Sequence, residues 1–178
     1  MSTNCNLSAA IALDCLDAIG GIKTLWVSSD FTPGTITAGA TAGITSLAGA
    51  TGTFYQIQVA KDVASFTETF TVSNTNGTCF FQQEVTIPVQ HLSSEKRAQI
   101  QLLAYNRASR VVFEDNNGLY WLVGATRGCV VSAGTTVTGT APGDFTGYNG
   151  LVLQGMEPAM AYQVSTLAAL TGTTFVDA

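Results

Sequence analysis

The chain's 178 residues leave room for one domain with a proper core and scarcely for two. Only 11% are charged against 46% hydrophobic, where an average globular protein has roughly 25% charged, so much of the charged surface that keeps monomers apart is missing. Seven Lys and Arg against twelve Asp and Glu give a net charge of −5 and form no basic run, which excludes a specific grip on nucleic-acid phosphates. Such a composition points to a surface hidden against other subunits; a secreted β-domain with a neutral, Thr-rich surface is the other reading of it.

The opening residues carry no basic region, and their apolar stretch is broken by Asp14 and Asp17, so they do not read as a signal peptide. No window approaches the roughly 18 consecutive apolar residues of a membrane span. The expectation is a protein that folds in a cytoplasm, without a membrane partner. Residues 1–21 read as a short helix or an extended arm ending at Gly20-Gly21. Residues 22–28, with Trp26, read as a strand. Residues 32–53 are almost wholly Thr, Gly, Ala, Ser and Ile without charge, and read as a loop or β-ribbon that reaches a neighbouring subunit. Strand alternation is clear from Phe54 onward, and residues 66–89 form a long hairpin turning through Asn74-Thr75-Asn76-Gly77.

One helix is predicted, over about residues 93–108. Ser93 or Ser94 caps it, Glu95 complements its dipole, Leu92, Ile100, Leu103 and Ala104 form its apolar stripe, and Arg107 and Arg110 fall near its C-terminal end. Residues 110–124 form a second hairpin, with Asn117-Gly118 as a type I′ turn. Further short strands follow around Gly134, then a strand at 150–154 and a final strand at about 159–165. The tail, 166–178, is weakly patterned and reads as a C-terminal arm. The fold class is mainly β, an antiparallel sandwich or barrel in a single domain of residues 1–178, with one flanking helix and extended arms.

No catalytic, cofactor-binding or metal-binding residue is predicted. His91, the only histidine, precedes the helix and reads as a local hydrogen-bonding or surface group. GxSxG, Walker A and GxGxxG are absent, and the carboxylates are dispersed, Asp14 and Asp17 as solvated groups and Glu114 and Asp115 leading a turn. Asp144, between Gly143 and Gly147, lacks the alternating oxygen ligands of a calcium loop and reads as a tight turn. Cys5, Cys15, Cys79 and Cys129 lack zinc spacing. Cys79 and Cys129 read as small buried hydrophobes, and pairing of Cys5 with Cys15 stays open. The protein is therefore not expected to be an enzyme.

Several features together resemble a known family. They are the segment with Cys5, Cys15, Gly20, Gly21, Ile22 and Lys23, the long hairpin through Asn76-Gly77-Thr78, the helix SSEKRAQIQLLA, the hairpin RVVFEDNNGLYWLVG and the closing GTAPGDFTGYNGLVLQGMEP. Their order is similar to that of tailed-bacteriophage virion proteins, most of all a major tail tube protein of the Bacteroidetes-phage type, over roughly residues 5–165. The resemblance implies a β-sandwich with a flanking helix whose inner strands join, six subunits to a ring, into a continuous barrel. It also implies stacked rings in the virion tail, locked by loops and arms, with tape measure, terminator, baseplate or sheath proteins as partners. DNA would pass through without being specifically bound. The alternatives are a capsid decoration or head-fibre protein, and a carbohydrate-binding or adhesion sandwich. The last would present Tyr120, Trp121 or Tyr148 as an exposed platform.

Overall fold

The computed structural model of the protein describes residues 10, 11, 13, 16–38, 43–48 and 50–178, with the backbone alone at 37, 38 and 43–48. Cys5, Cys15 and Asp14 lie outside the described residues. Along the chain run β1 (Ile22–Ser28), β2 (Thr35–Ala38), β3 (Gly43–Ala48), β4 (Gly52–Ile57), β5 (Ser65–Ser73) and β6 (Thr78–Gln90). After them come α1 (Ser94–Tyr105), β7 (Arg110–Asp115), β8 (Tyr120–Val123), β9 (Cys129–Val137), β10 (Gly147–Glu157), β11 (Tyr162–Val164), a 3-10 turn (Leu167–Ala169) and β12 (Thr173–Val176). The protein is mainly β, with two sheets in a sandwich-like arrangement and a single α-helix among the described residues.

The larger sheet has eight strands in the order β12-β4-β1-β7-β8-β11-β3-β2, and the smaller has four in the order β5-β6-β10-β9. The small sheet is antiparallel throughout. The large one is mixed, because β12 runs parallel to β4 and β11 parallel to β3. Period-two alternation makes the sandwich: Leu25, Val27, Val111, Phe113 and Val123 of the large sheet meet Val85, Ile87, Val89, Leu151 and Leu153 of the small one. The alternate residues of the large sheet, Trp26, Phe54, Val112 and Leu122, build a second core on its other face. Both faces are therefore buried, which explains the near-continuous apolar runs of β1 and β7.

The structure corrects several sequence expectations. The C-terminal residues are folded back rather than extended away. β12 pairs with β4, Phe175 stacks on Phe54 with ring centroids 5.1 Å apart and meets Trp26 edge-on at 5.7 Å, and Trp26 Nε1 donates to Asp177 Oδ1 at 3.0 Å. Phe54 is wholly buried beneath this lid, and burying such a ring contributes about 2–3 kcal/mol. Within 32–53 lies a β-ribbon: β2 pairs with β3, and β3 joins the sheet through β11. β-Branched Thr and Ile favour that extended backbone.

The α-helix falls within the expected range, with the Ser93 hydroxyl accepting from Lys96 N at 3.2 Å. Its stripe is narrower than expected, for Leu103 alone is buried and Ala104 is exposed. The last turn holds no cation. Asn106 ends the helix instead, donating to Ser29 O and accepting from Ala108 N, while Arg110 is buried at the start of β7. The β7–β8 turn is not type I′, since Gly118 takes positive φ (78°) and Asn117 does not. The Asp115 carboxylate decides this by accepting from Asn117 N and Leu119 N at 2.8 and 2.9 Å, an Asx turn that favours type I geometry followed by a left-handed glycine. β9 passes through Gly134 as one strand where several were expected, and β10 is longer than 150–154, with an irregular register between Tyr148 and Leu151.

Candidate assembly surface

The small sheet turns one face to the core, and none of the described strands or helices lies over the other. Gln83, Val85, Ile87 and Val89 of β6 point inward, and Gln82, Glu84, Thr86 and Pro88 between them point outward. On β10 the outward set is Val152, Gln154 and Met156; β5 adds Thr67 and Thr69, and β9 adds Val130. The sequences of these four strands contain no Lys or Arg and three carboxylates, Glu68, Glu84 and Glu157.

Two of the three carboxylates are bound inside. Glu157 Oε1 accepts from Arg127 N at 2.7 Å and Gly128 N at 3.0 Å, and its Oε2 accepts from Thr126 N at 3.1 Å. It is buried and holds the β8–β9 loop where β9 begins. Glu68 Oε1 accepts from Gln83 Nε2 and Ala161 N at 2.9 and 2.8 Å, while Gln83 Oε1 accepts from Gly124 N at 3.0 Å. Gln83 thereby ties the two sheets together through a fully engaged amide. Glu84 alone faces outward, where its Oε1 accepts from Gln82 Nε2 at 2.7 Å and Gln154 Nε2 at 2.8 Å. The open face is thus a carpet of Thr, Gln and short apolar groups around one carboxylate, with Arg107 and Arg127 beside Val130, Gln154 and Met156 at its β9 margin.

Neither edge of this sheet has a neighbouring strand among the described residues: β5 lies at one side and β9 at the other, where only Cys129 is engaged, by a bridge to Ser109. Each is nine residues long. Long open edges invite pairing with another chain. Because the sheet has four antiparallel strands, β9 and β5 run in opposite senses, so β9 of one copy laid beside β5 of the next continues the antiparallel alternation.

The sheet is also staggered. Thr69, the midpoint of β5, lies level with Gln82 of β6. Ala133, the midpoint of β9, lies level with Thr86 of β6 by way of Val152. The drift from 82 to 86 is four residues over three strand spacings, or about 13 Å along the strands against about 14 Å across them. That slope corresponds to a tilt of about 43°, within the roughly 35–45° that closed barrels require.

The residues weighed for chemistry fall apart in space. His91 is an exposed turn residue with φ 65°, its amide donating to Thr146 O. Asp144 accepts from Thr140 N, Thr140 Oγ1 and Ala141 N at 2.7–3.0 Å. Those donors, the Thr140 amide foremost, hold its carboxyl below the usual range, so it serves as a turn cap. Glu114 pairs with Lys23 at 2.7 Å. Asp17 is exposed. Among the described residues no group of three or more His, Cys, Asp or Glu is placed to hold a metal, and no helix is long and apolar enough to cross a membrane.

Cys129 is the small buried hydrophobe expected, with burial pushing its thiol up to about 12. Cys79 is not: it is exposed near the tip of the β5–β6 hairpin. Tyr120 and Trp121 pack against the two cores and Tyr148 is buried, so the three aromatics form no exposed platform. Sequence reasoning missed the Glu157 clamp and the Glu84 cluster, whose only trace in the sequence is the isolation of each carboxylate in an otherwise uncharged strand. Comparison with protein-family models, curated proteins and solved structures finds no match to this chain.

Proposed function

We propose that this chain is a non-enzymatic structural subunit that assembles with copies of itself, β9 against β5, into rings that stack as a phage tail tube. The carrying observation is the small sheet, open at both edges, antiparallel in sense across the joint and staggered at a barrel's slope. With six copies, as the family resemblance implies, about 24 strands at that tilt enclose a backbone cylinder about 50 Å across. Side chains reduce the opening to about 40 Å, which admits a duplex roughly 20 Å wide. The outer face of the small sheet would line this channel. Its four strands carry no Lys or Arg, and the two cations beside it, Arg107 and Arg127, stand only at the margin by Val130 and Met156, so it offers phosphates little counter-charge and DNA would pass without being specifically held. Rings repeated along an axis by one heterologous contact give an open tube.

An edge variant tests this reading. Thr67→Lys with Thr69→Lys places two cations on the outward face of edge strand β5, a common natural block to strand addition. The parent should form large assemblies in sedimentation as concentration rises, and the folded variant should remain small. Equal assembly by both would remove β5 from the joint. A parent that never assembles, alone or with capsids, would sink the structural-subunit reading; one that binds only capsids would support the decoration reading.

A further inference from the structure

The N-terminal end of α1 opens onto a hollow of about 530 Å³. Leu92, Ser93, Ser94 and Arg97 form its helix side, and Thr136 of β9 and Tyr148 of β10 form its sheet side. Thr136 and Tyr148 are register partners, so their side chains leave the sheet on one face, the face turned to the core.

Tyr148 is the informative residue. It is only 9% exposed, and a tyrosine hydroxyl buried to that degree normally has a hydrogen-bond partner. This one bonds to no group among the described residues. It is not sealed into the core either, for the one sealed side-chain polar atom without a partner among those residues is Arg110 Nε. The Tyr148 hydroxyl therefore opens to the hollow that its side chain lines.

The groups around it are rich in donors. Arg97 N to Ser93 O is the first helical bond, which leaves the amides of Ser94 and Glu95 pointing out of the helix end. The Ser93 hydroxyl accepts from Lys96 N and keeps its own O–H to donate. Arg97, three residues after Ser94, shares its side of the helix and is in no ion pair, the one among the described residues being Lys23–Glu114. No carboxylate lines the hollow. Glu95 lies about 100° further round the helix and lines a different hollow together with Lys96, whose Nζ donates to Gln90 O at 2.7 Å.

We infer that this hollow is a binding site for an oxyanion, a phosphate or carboxylate group carried on a small organic molecule. The Arg97 guanidinium supplies the charge, the Ser94 and Glu95 amides and the helix dipole supply a fixed positive end, and the Tyr148 hydroxyl donates from the sheet side. Leu92 and the tyrosine ring are the apolar walls left for the organic body. The inference does not depend on the assembly reading.

Nuclear magnetic resonance on the full chain, kept dilute, tests it with inorganic phosphate as the probe and sodium chloride at matched ionic strength as the control. Phosphate should move the Ser94 and Glu95 amides and the Arg97 Nε–H saturably, and chloride should not. Arg97→Gln changes an exposed position, and Tyr148→Phe removes a hydroxyl that bonds to nothing in the fold. Each should weaken phosphate binding about tenfold, the worth of one charged hydrogen bond, and Tyr148→Phe should keep the parent's thermal stability. Acetate separates the sources: a response to acetate as well as phosphate assigns a carboxylate-tolerant site, and a response to phosphate alone assigns a phosphate ester. Shifts that never saturate, that chloride reproduces, or that survive both substitutions undiminished would overturn the inference and leave an ordinary helix end. A clear loss of stability in Tyr148→Phe would overturn it too, because the hydroxyl would then have its partner within the fold.

Discussion

Replacing Glu157 by Gln isolates the buried clamp that fixes the start of β9. The carboxylate accepts three backbone N–H groups at 2.7–3.1 Å, two on Oε1 and one on Oε2. A glutamine keeps an oxygen for Arg127 and Gly128 but turns an NH2 toward the Thr126 amide, setting donor against donor in a buried site. Hydrogen bonds to a charged group are worth about 1.5–3 kcal/mol, and an unsatisfied buried donor costs about 1–3 kcal/mol, so the loss should be about 3 kcal/mol. For a chain of this size that lowers Tm by about 6–12 °C. Glu84→Gln is the internal control: its carboxylate is only half-buried and faces side-chain amides on the open face, so the change should stay within about 0.5 kcal/mol. Urea unfolding of both variants, with calorimetry for Tm, reads the difference. A Glu157→Gln loss below about 1 kcal/mol, or a Glu84→Gln loss equal to it, would refute the clamp.

Other outcomes follow from the same structure. Gly147 has φ 142°, and a Cβ there would sit 2.2 Å from Val89 O, so Gly147→Ala should destabilise by more than about 2 kcal/mol in denaturant titration, and a near-neutral result would contradict the close β6–β10 approach. Asp30 is held below its ordinary carboxylate value, chiefly by the Thr53 amide at 3.0 Å. The unfolded chain therefore takes up that proton first as pH falls. Asp30's contribution is complete above the ordinary value and is lost as pH drops through the lower folded one; Asp30→Asn should flatten that acid limb of the stability curve. Thiol labelling with peptide mapping should modify Cys79 in the folded protein and reach Cys129 only after unfolding, because Cys129 is fully buried with its thiol at about 12.

Elements marked by local chemistry were legible in the sequence. The Ser93 cap, the Asn-Gly turns and the alternation of 66–89 and 110–123 each act within a few residues, and each marks an element that formed. Pairings over long separations were not legible. β12 finds β4 more than a hundred residues away, in parallel and without a turn between them, so nothing near Thr173 announces a strand. The insertion of β10 between β6 and β9 is equally silent, yet it leaves β5 and β9 as the free edges. Composition pointed to hidden surface, but not to which surface. Carboxylate roles were hidden for the same reason: Glu84 and Glu157 stand in similar uncharged strands, and only the pleat decides that one faces out and the other lies beneath three amides.

Electron microscopy of the concentrated full-length protein tests the central claim most directly. Uniform hollow rods with a channel of about 40 Å, whose reconstructed wall joins β9 of each subunit to β5 of the next, are the predicted result. Strictly monomeric particles at every concentration, or rods whose subunits meet through the eight-stranded sheet while the small sheet's edges stay open, would contradict it.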